Sequence, residues 1–207
     1  GVQTCALPIS HAVDALFATL AAVFVVGVGF FLAYRPRLYV GGLLRLVPPP
    51  REAQAEAFLQ RLAAVIRGWL VGALVSMTTV GLLTALVTRL LGLESWLLLG
   101  FLAFALELVP YVGPIVAALP AVALALADSP AHALQTALAY LAIQQIEGNA
   151  ITPIVMKRAI ELPPALLLVW QVAMVSAFGL PALFVAAPLL AAAMVAVDHF
   201  WIRGALG

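Results

Sequence analysis

The sequence predicts an all-α fold, a polytopic helical membrane protein with a broken-helix or re-entrant hairpin. Three observations predict it. Of 207 residues, 65% are hydrophobic and 9% charged, whereas a soluble domain carries roughly 45–50% apolar and 25% charged residues. Apolar runs recur at lengths that, at about 1.5 Å per residue, reach across a hydrocarbon core of about 30 Å. Finally, the polar and helix-breaking residues gather in two stretches, Glu107–Pro120 (ELVPYVGPIVAALP) and Gln144–Pro153 (QQIEGNAITP).

Composition also excludes several functions. A net charge of +1 gives no basic face for nucleic acid. Cys5 is the sole cysteine, so no internal disulfide forms, and His11, His132 and His199 are dispersed. No metal site and no cofactor is expected. Neither a GxSxG, an HExxH nor a GxxxxGK[ST] signature occurs, so the chain is not read as an enzyme.

Along the chain, residues 1–10 (GVQTCALPIS) read as a non-native leader that resembles a translated sequencing adapter. Residues 11–34 form a first transmembrane span, with Asp14 and Tyr34 near its ends, where an interface tolerates polar and aromatic groups. Residues 35–67 are a basic connector that holds Arg35, Arg37, Arg45, Arg51, Arg61 and Arg67. The excess of arginine places it in the cytoplasm. After Pro48–Pro50 an amphipathic helix is expected, with Glu52 and Glu56 in its early turns and Phe58, Leu59, Leu62, Val65 and Ile66 on one face. It is either a lead-in to the next span, a membrane-surface helix or a subunit contact. Residues 68–91 are the second span, whose line Gly68, Gly72, Ser76 suits close helix packing, within the chain or between copies.

Residues 93–127 are expected to form a helical hairpin around the Pro110–Pro114 break (PYVGP), its arms short for full spans. Residues 131–157 make a polar-ended helix, and 163–179 and 181–203 two further spans. Proline removes the helical donor of the carbonyl four residues earlier, so Pro110, Pro120 and Pro153 release the carbonyls of Leu106, Val116 and Asn149. Lipid cannot replace those bonds, so the breaks face protein or a wet cavity. Charge placement agrees with the hairpin. Counting it as two passes puts every basic residue except Arg89 on the cytoplasmic side; one pass would strand Lys157, Arg158 and Arg203 outside.

Glu107 is the candidate centre, because no charged residue lies between Glu94 and Glu107 or between Glu107 and Asp128. An ionisable group at membrane depth costs at least about 2.5–3.5 kcal/mol and needs a partner, water or a proton. It is either a carrier of a proton, cation or polar substrate, or an acceptor for backbone N–H groups freed near Pro110 and Gly113. On one helix, Gln144 and Glu147 are three apart and Gln145 and Asn149 four apart, giving two adjoining polar faces. Gly148 loosens that helix. This set either contacts a substrate or ion, or marks emergence at the interface.

At these residues the sequence resembles the autoinducer-2 exporter (AI-2E) family of transporters, also called PerM-type permeases. The likeness rests on Glu107 with Pro110-Tyr111-Val112-Gly113-Pro114, on Gln144 to Asn149 with Pro153, on Leu162-Pro163-Pro164, and on Gly179 followed by Ala187-Pro188-Leu189. Tyr34-Arg35-Pro36 and the proline-rich connector fit as well. Pro181 and Ala182 stand where a second glycine is common. The resemblance implies a multi-pass protein of the bacterial cytoplasmic (inner) membrane, a homo-oligomer, and transport of a small molecule or ion: export of a signalling molecule in some members, sodium/proton antiport in others. It also implies further spans upstream. The pathway residues are then Glu107, Gln144, Gln145, Glu147 and Asn149, and the helix breaks are Pro110, Gly113, Pro114, Pro120, Gly148, Pro153, Pro163, Pro164, Gly179 and Pro188. The alternative from another class is a membrane scaffold whose polar groups fix packing and assembly without transport.

Overall fold

The computed structural model describes residues 36–45, 47–151, 153 and 162–202. The leader, the span at 11–34, Arg35, the Lys157–Arg158 pair and Arg203 lie outside the described residues. Among the described residues helix is the only regular structure, and the chain divides into two compact units, residues 1–59 and 60–207.

In the first unit, α1 (Pro36–Leu44) begins on a proline, whose fixed φ suits a first helical position, and a 3-10 turn at Pro49–Arg51 follows. Helix α2 (Glu52–Leu90) runs on into the second unit. Its 39 residues form one continuous helix, about 58 Å long at 1.5 Å per residue. The amphipathic lead-in and the second span are therefore a single element. Glu52 occupies its first turn and Arg89 its last, each at the end that the helix dipole favours. Arg89 also lies over the Trp96 ring, 5.0 Å from its centroid, a cation–π contact for the one cation expected at the far interface.

The second unit continues with α3 (Trp96–Leu106), α4 (Val112–Asp128) and α5 (Pro130–Ile146), the last opening into a wide π turn at Glu147–Ile151. Helix α6 (Pro164–Phe178) and a 3-10 turn at Leu180–Ala182 lead to α7 (Leu183–Val197), which ends in another π turn at Asp198–Ile202. Ser129 caps α5, its hydroxyl accepting the His132 N–H at 3.1 Å, as short hydroxyl residues do at helix starts.

Packing follows helical periodicity. The buried stripe of α2 runs Val65, Trp69, Gly72, Ser76, Val80, Thr84, Thr88, in steps of three or four that keep to one face. Alanines 117, 121 and 125 do the same on α4. They join Val80, Leu99, Ala103, Tyr140 and Ile143 in one core, while Trp69, Leu167, Ala187 and Leu190 form a second. Helices α2 and α3 cross closely. A Cβ on Gly100 would stand 2.5 Å from that of Ala85, and one on Gly81 would stand 2.7 Å from that of Phe104.

The outward faces are apolar. Leu70, Val71, Leu74, Leu82, Leu86, Leu97, Phe101, Leu119 and Val172 are among many large hydrophobic side chains left exposed, far more than a water-facing surface carries in one patch. The helical segments Pro49–Leu90 and Leu180–Trp201 are long and apolar enough to cross a bilayer, and α3, α4 and α6 are shorter apolar helices. This is an all-α membrane protein. The hairpin arms, 11 and 17 residues, extend about 16 and 26 Å.

Candidate functional site

The hairpin break is built by local bonds. Helix α3 ends at Leu106, whose carbonyl takes the Val109 N–H at 2.9 Å; the carbonyl that Pro110 was expected to strand is thus satisfied one 3-10 turn on. Tyr111 then adopts φ 67°, ψ −49°, and the Val112 N–H reaches back to the Pro110 carbonyl at 2.9 Å. This is a γ-turn of the positive-φ kind, rare and strained, costing about 1–3 kcal/mol for a bulky residue. Gly113 donates its N–H to Val109 at 2.9 Å. A Cβ there would fall 1.8 Å from the Leu106 carbonyl oxygen, so only glycine lets the two arms approach this closely.

Glu107 sits at the C-terminal cap of α3, its N–H bonded to Ala103. The Val112 and Gly113 N–H groups go to carbonyls rather than to its carboxyl. Instead it meets the end of α5: the Gln144 side chain hydrogen-bonds to it, and Glu147 is its charged neighbour. Its Oε2 is buried without a hydrogen-bond partner among the described residues. From α2, the buried Ser76 donates its hydroxyl to Glu147 Oε1 at 2.5 Å. Two carboxyl groups, an amide and a hydroxyl are thus gathered from three helices, Ser76 buried and Glu107, Gln144 and Glu147 half-buried. Such a set can hold a cation or a proton, or bind the hydroxyl and carbonyl groups of a polar solute.

The turn is clamped from α6. Gln171, 1% exposed, donates from Nε2 to the Pro110 carbonyl at 3.1 Å, and its Oε1 is buried without a partner among the described residues. At the far end of the same unit, Arg61 of α2 is bonded to Asp198 beyond α7 through Nη1 and Oδ2.

Of the residues that the sequence singled out, Glu107, Gln144 and Glu147 come together. Gln145 and Asn149 are exposed, and Asn149 spends its Nδ2 on the Gln145 carbonyl at 2.9 Å. Gly148 is exposed within the π turn and Pro153 is exposed as well. Pro120 and Pro188 lie inside α4 and α7, which continue through them. Pro114 is in the first turn of α4, and Pro163 and Pro164 start α6 as N-cap and first residue. Gly179 ends α6 at φ 80°, ψ 179°, a conformation open essentially to glycine alone. Among these breaks, the one built from Pro110 and Gly113 adjoins Glu107. Sequence reasoning missed Gln171 and the hydroxyl role of Ser76. A lone amide in the apolar run PALLLVWQVAMVSAF was the available signal for the first, whereas Ser76 looked like one more small packing residue.

The sequence profile described as AI-2E family transporter matches residues 5–202. The chain belongs to the AI-2E transporter family. Two curated relatives, both from Bacillus subtilis (strain 168), are similar to it: "Putative transport protein YueF", 26% identical over 72% of this chain and 40% of the relative, and "Putative transport protein YrrI", 24% identical over 75% of this chain and 44% of the relative. The chain therefore spans less than half the length of these curated relatives of the AI-2E family.

Proposed function

We propose that this chain forms the solute-binding part of a secondary transporter or permease, a non-enzymatic AI-2E family protein of the bacterial inner membrane that crosses the bilayer several times. Its cargo is a small polar solute or signalling molecule of the autoinducer-2 type. The observation that carries the reading is the meeting of Glu107, Gln144, Glu147 and Ser76 beside a γ-turn. Burying carboxyl groups among apolar helices is costly without a functional return, and polar groups beside an interrupted helix are where transporters hold their cargo. Two relatives named for transport support the same class. The exposed apolar faces suit lipid and contacts between copies of a homo-oligomer.

Sodium/proton antiport is a second reading, favoured by the electrostatic influence of Glu147 on Glu107, since neighbouring carboxyl groups compete for one cation or one proton. Against a passive scaffold stands Glu107 Oε2, which serves no described packing bond. Flux separates these readings. In proteoliposomes, Glu147→Gln should stop autoinducer-2 efflux while gel filtration shows unchanged assembly. A scaffold would instead lose assembly, and an antiporter would show sodium-driven proton movement that disappears in Glu147→Gln.

A further inference from the structure

We propose that the inner face of α5 is a proton-conducting file that joins the Glu107–Glu147 centre to the Asp128–His132 pair at the opposite end of the helix. The inference rests on the transport reading above and supplies its coupling ion and route.

The residues on this face are His132, Thr136, Tyr140 and Gln144, followed by Glu147. Steps of four advance about 6 Å each and drift about 40° around the helix, and the final step of three turns back about 60°, so all five fall within about a third of its circumference. Thr136 is 0% and Tyr140 5% exposed. Both side-chain oxygens are buried without hydrogen-bond partners among the described residues, as are His132 Nε2, Glu107 Oε2 and Thr84 Oγ1 of α2. Buried polar atoms are nearly always bonded, so three hydroxyls, an imidazole nitrogen and a carboxyl oxygen left so within one unit mark a function beyond packing.

Helix α2 supplies the opposite wall. The Ser76–Glu147 bond joins the two helices, and Val80, four residues on from Ser76, shares a core with Ile143, four back from Glu147, as an antiparallel register requires. Eight residues on from Ser76 and seven back from Glu147, each about 10–12 Å along its helix, the register carries Thr84 to the level of Tyr140. Thr88 follows toward Thr136, its hydroxyl tied to the Thr84 carbonyl at 2.7 Å.

The ends differ as an entry and a destination should. His132 Nδ1 lies 3.0 Å from Asp128 Oδ2, and Asp128 is 66% exposed, whereas His132 Nε2 is buried. The imidazole thus has one nitrogen at an exposed carboxylate and one directed inward, the arrangement of a proton shuttle. Between the ends, Val80, Leu99, Ala121, Ala125 and Ile143 pack in the same core. A proton handed from one hydroxyl to the next needs no open channel through such a core. It enters as imidazolium at His132 and leaves Nε2 for the next hydroxyl, which releases its own proton onward, until a Glu107 or Glu147 carboxylate accepts it. Rotating hydroxyls or transient water span the steps, and no bond is gained or lost overall. The other charged groups nearby are engaged or outward: Arg89 stacks on Trp96 and Glu94 is exposed.

The test is proton entry into liposomes that contain the purified chain, an internal pH dye and an imposed potassium diffusion potential. Tyr140→Phe and Thr136→Val each remove one hydroxyl and are expected to slow entry ~10-fold or more, as loss of a proton-transfer group does, with unchanged gel filtration. Thr136→Ser should conduct like the wild type, which a merely structural role for the methyl group would not allow. Should Thr136→Val fail to assemble, Tyr140→Phe carries the test. Wild-type rates in both hydroxyl variants overturn the file, as does a wild-type protein that passes no protons. The reading of the carboxyl centre falls separately, if Glu147→Gln leaves autoinducer-2 efflux unchanged.

Discussion

The Gln171 amide nitrogen lies 3.1 Å from the Pro110 carbonyl oxygen, sixty-one residues away in sequence. That oxygen also closes the γ-turn by accepting the Val112 N–H. The bond thus ties α6 to the one strained backbone position beside Glu107, and through the turn sets where the carboxyl group stands.

Gln171→Leu keeps the volume of the buried site and removes the donor. Loss of one buried hydrogen bond costs about 1 kcal/mol, so thermal unfolding in detergent should show a modest drop. Transport should fall by more than this stability loss explains, because the turn is no longer held. Equal flux in Gln171→Leu and wild type would show that the clamp only packs.

Gly113→Ala should be far worse. A Cβ would stand 1.8 Å from the Leu106 oxygen, and neither arm can move aside without breaking the Val109 bond. A loss of about 3 kcal/mol or more is expected, the range reserved for steric or core disruption. Expression yield and gel filtration will register it. A Gly113→Ala protein that assembles normally would mean that the arms are more loosely joined than described.

Ser76 and Glu147 should be energetically coupled. A double-mutant cycle with Ser76→Ala and Glu147→Gln, read by unfolding, is expected to give an interaction energy of about 1 kcal/mol or more, as for bonded side chains. Additive effects would contradict the contact.

The Arg61–Asp198 pair is partly solvated, with side chains 35% and 29% exposed, so its removal by Asp198→Asn should cost about 1 kcal/mol or less. The reversal Arg61→Asp with Asp198→Arg should recover most of that loss in the same unfolding measurement, whereas either single reversal should not.

Much of this was legible in the sequence because the bilayer imposes few solutions. Runs of apolar residues could only be helices, and an acidic residue amid them needed polar company; the Gln144 side chain hydrogen-bonds to Glu107, and Glu147 acts on it electrostatically. What stayed hidden depends on tertiary register. Spacing put Gln145 and Asn149 on an adjoining polar face, yet the side of α5 that faces the core is decided by packing against α2 and α4, and that choice left both outside. Proline counts suggested several breaks, but α4 and α7 run through Pro120 and Pro188. Removing one helical donor bends a helix without ending it when its neighbours pack well. Gln171 and Thr136 were invisible for a similar reason: a single polar residue on an apolar helix gains meaning only from what lies opposite.

The most direct test of the account is autoinducer-2 efflux from proteoliposomes that carry equal amounts of wild-type, Glu107→Gln and Glu147→Gln protein, each first shown by gel filtration to assemble alike. Both variants should assemble normally and lose efflux. Efflux at the wild-type rate from either one would contradict the claim that the carboxyl groups drawn together by α3 and α5 carry transport.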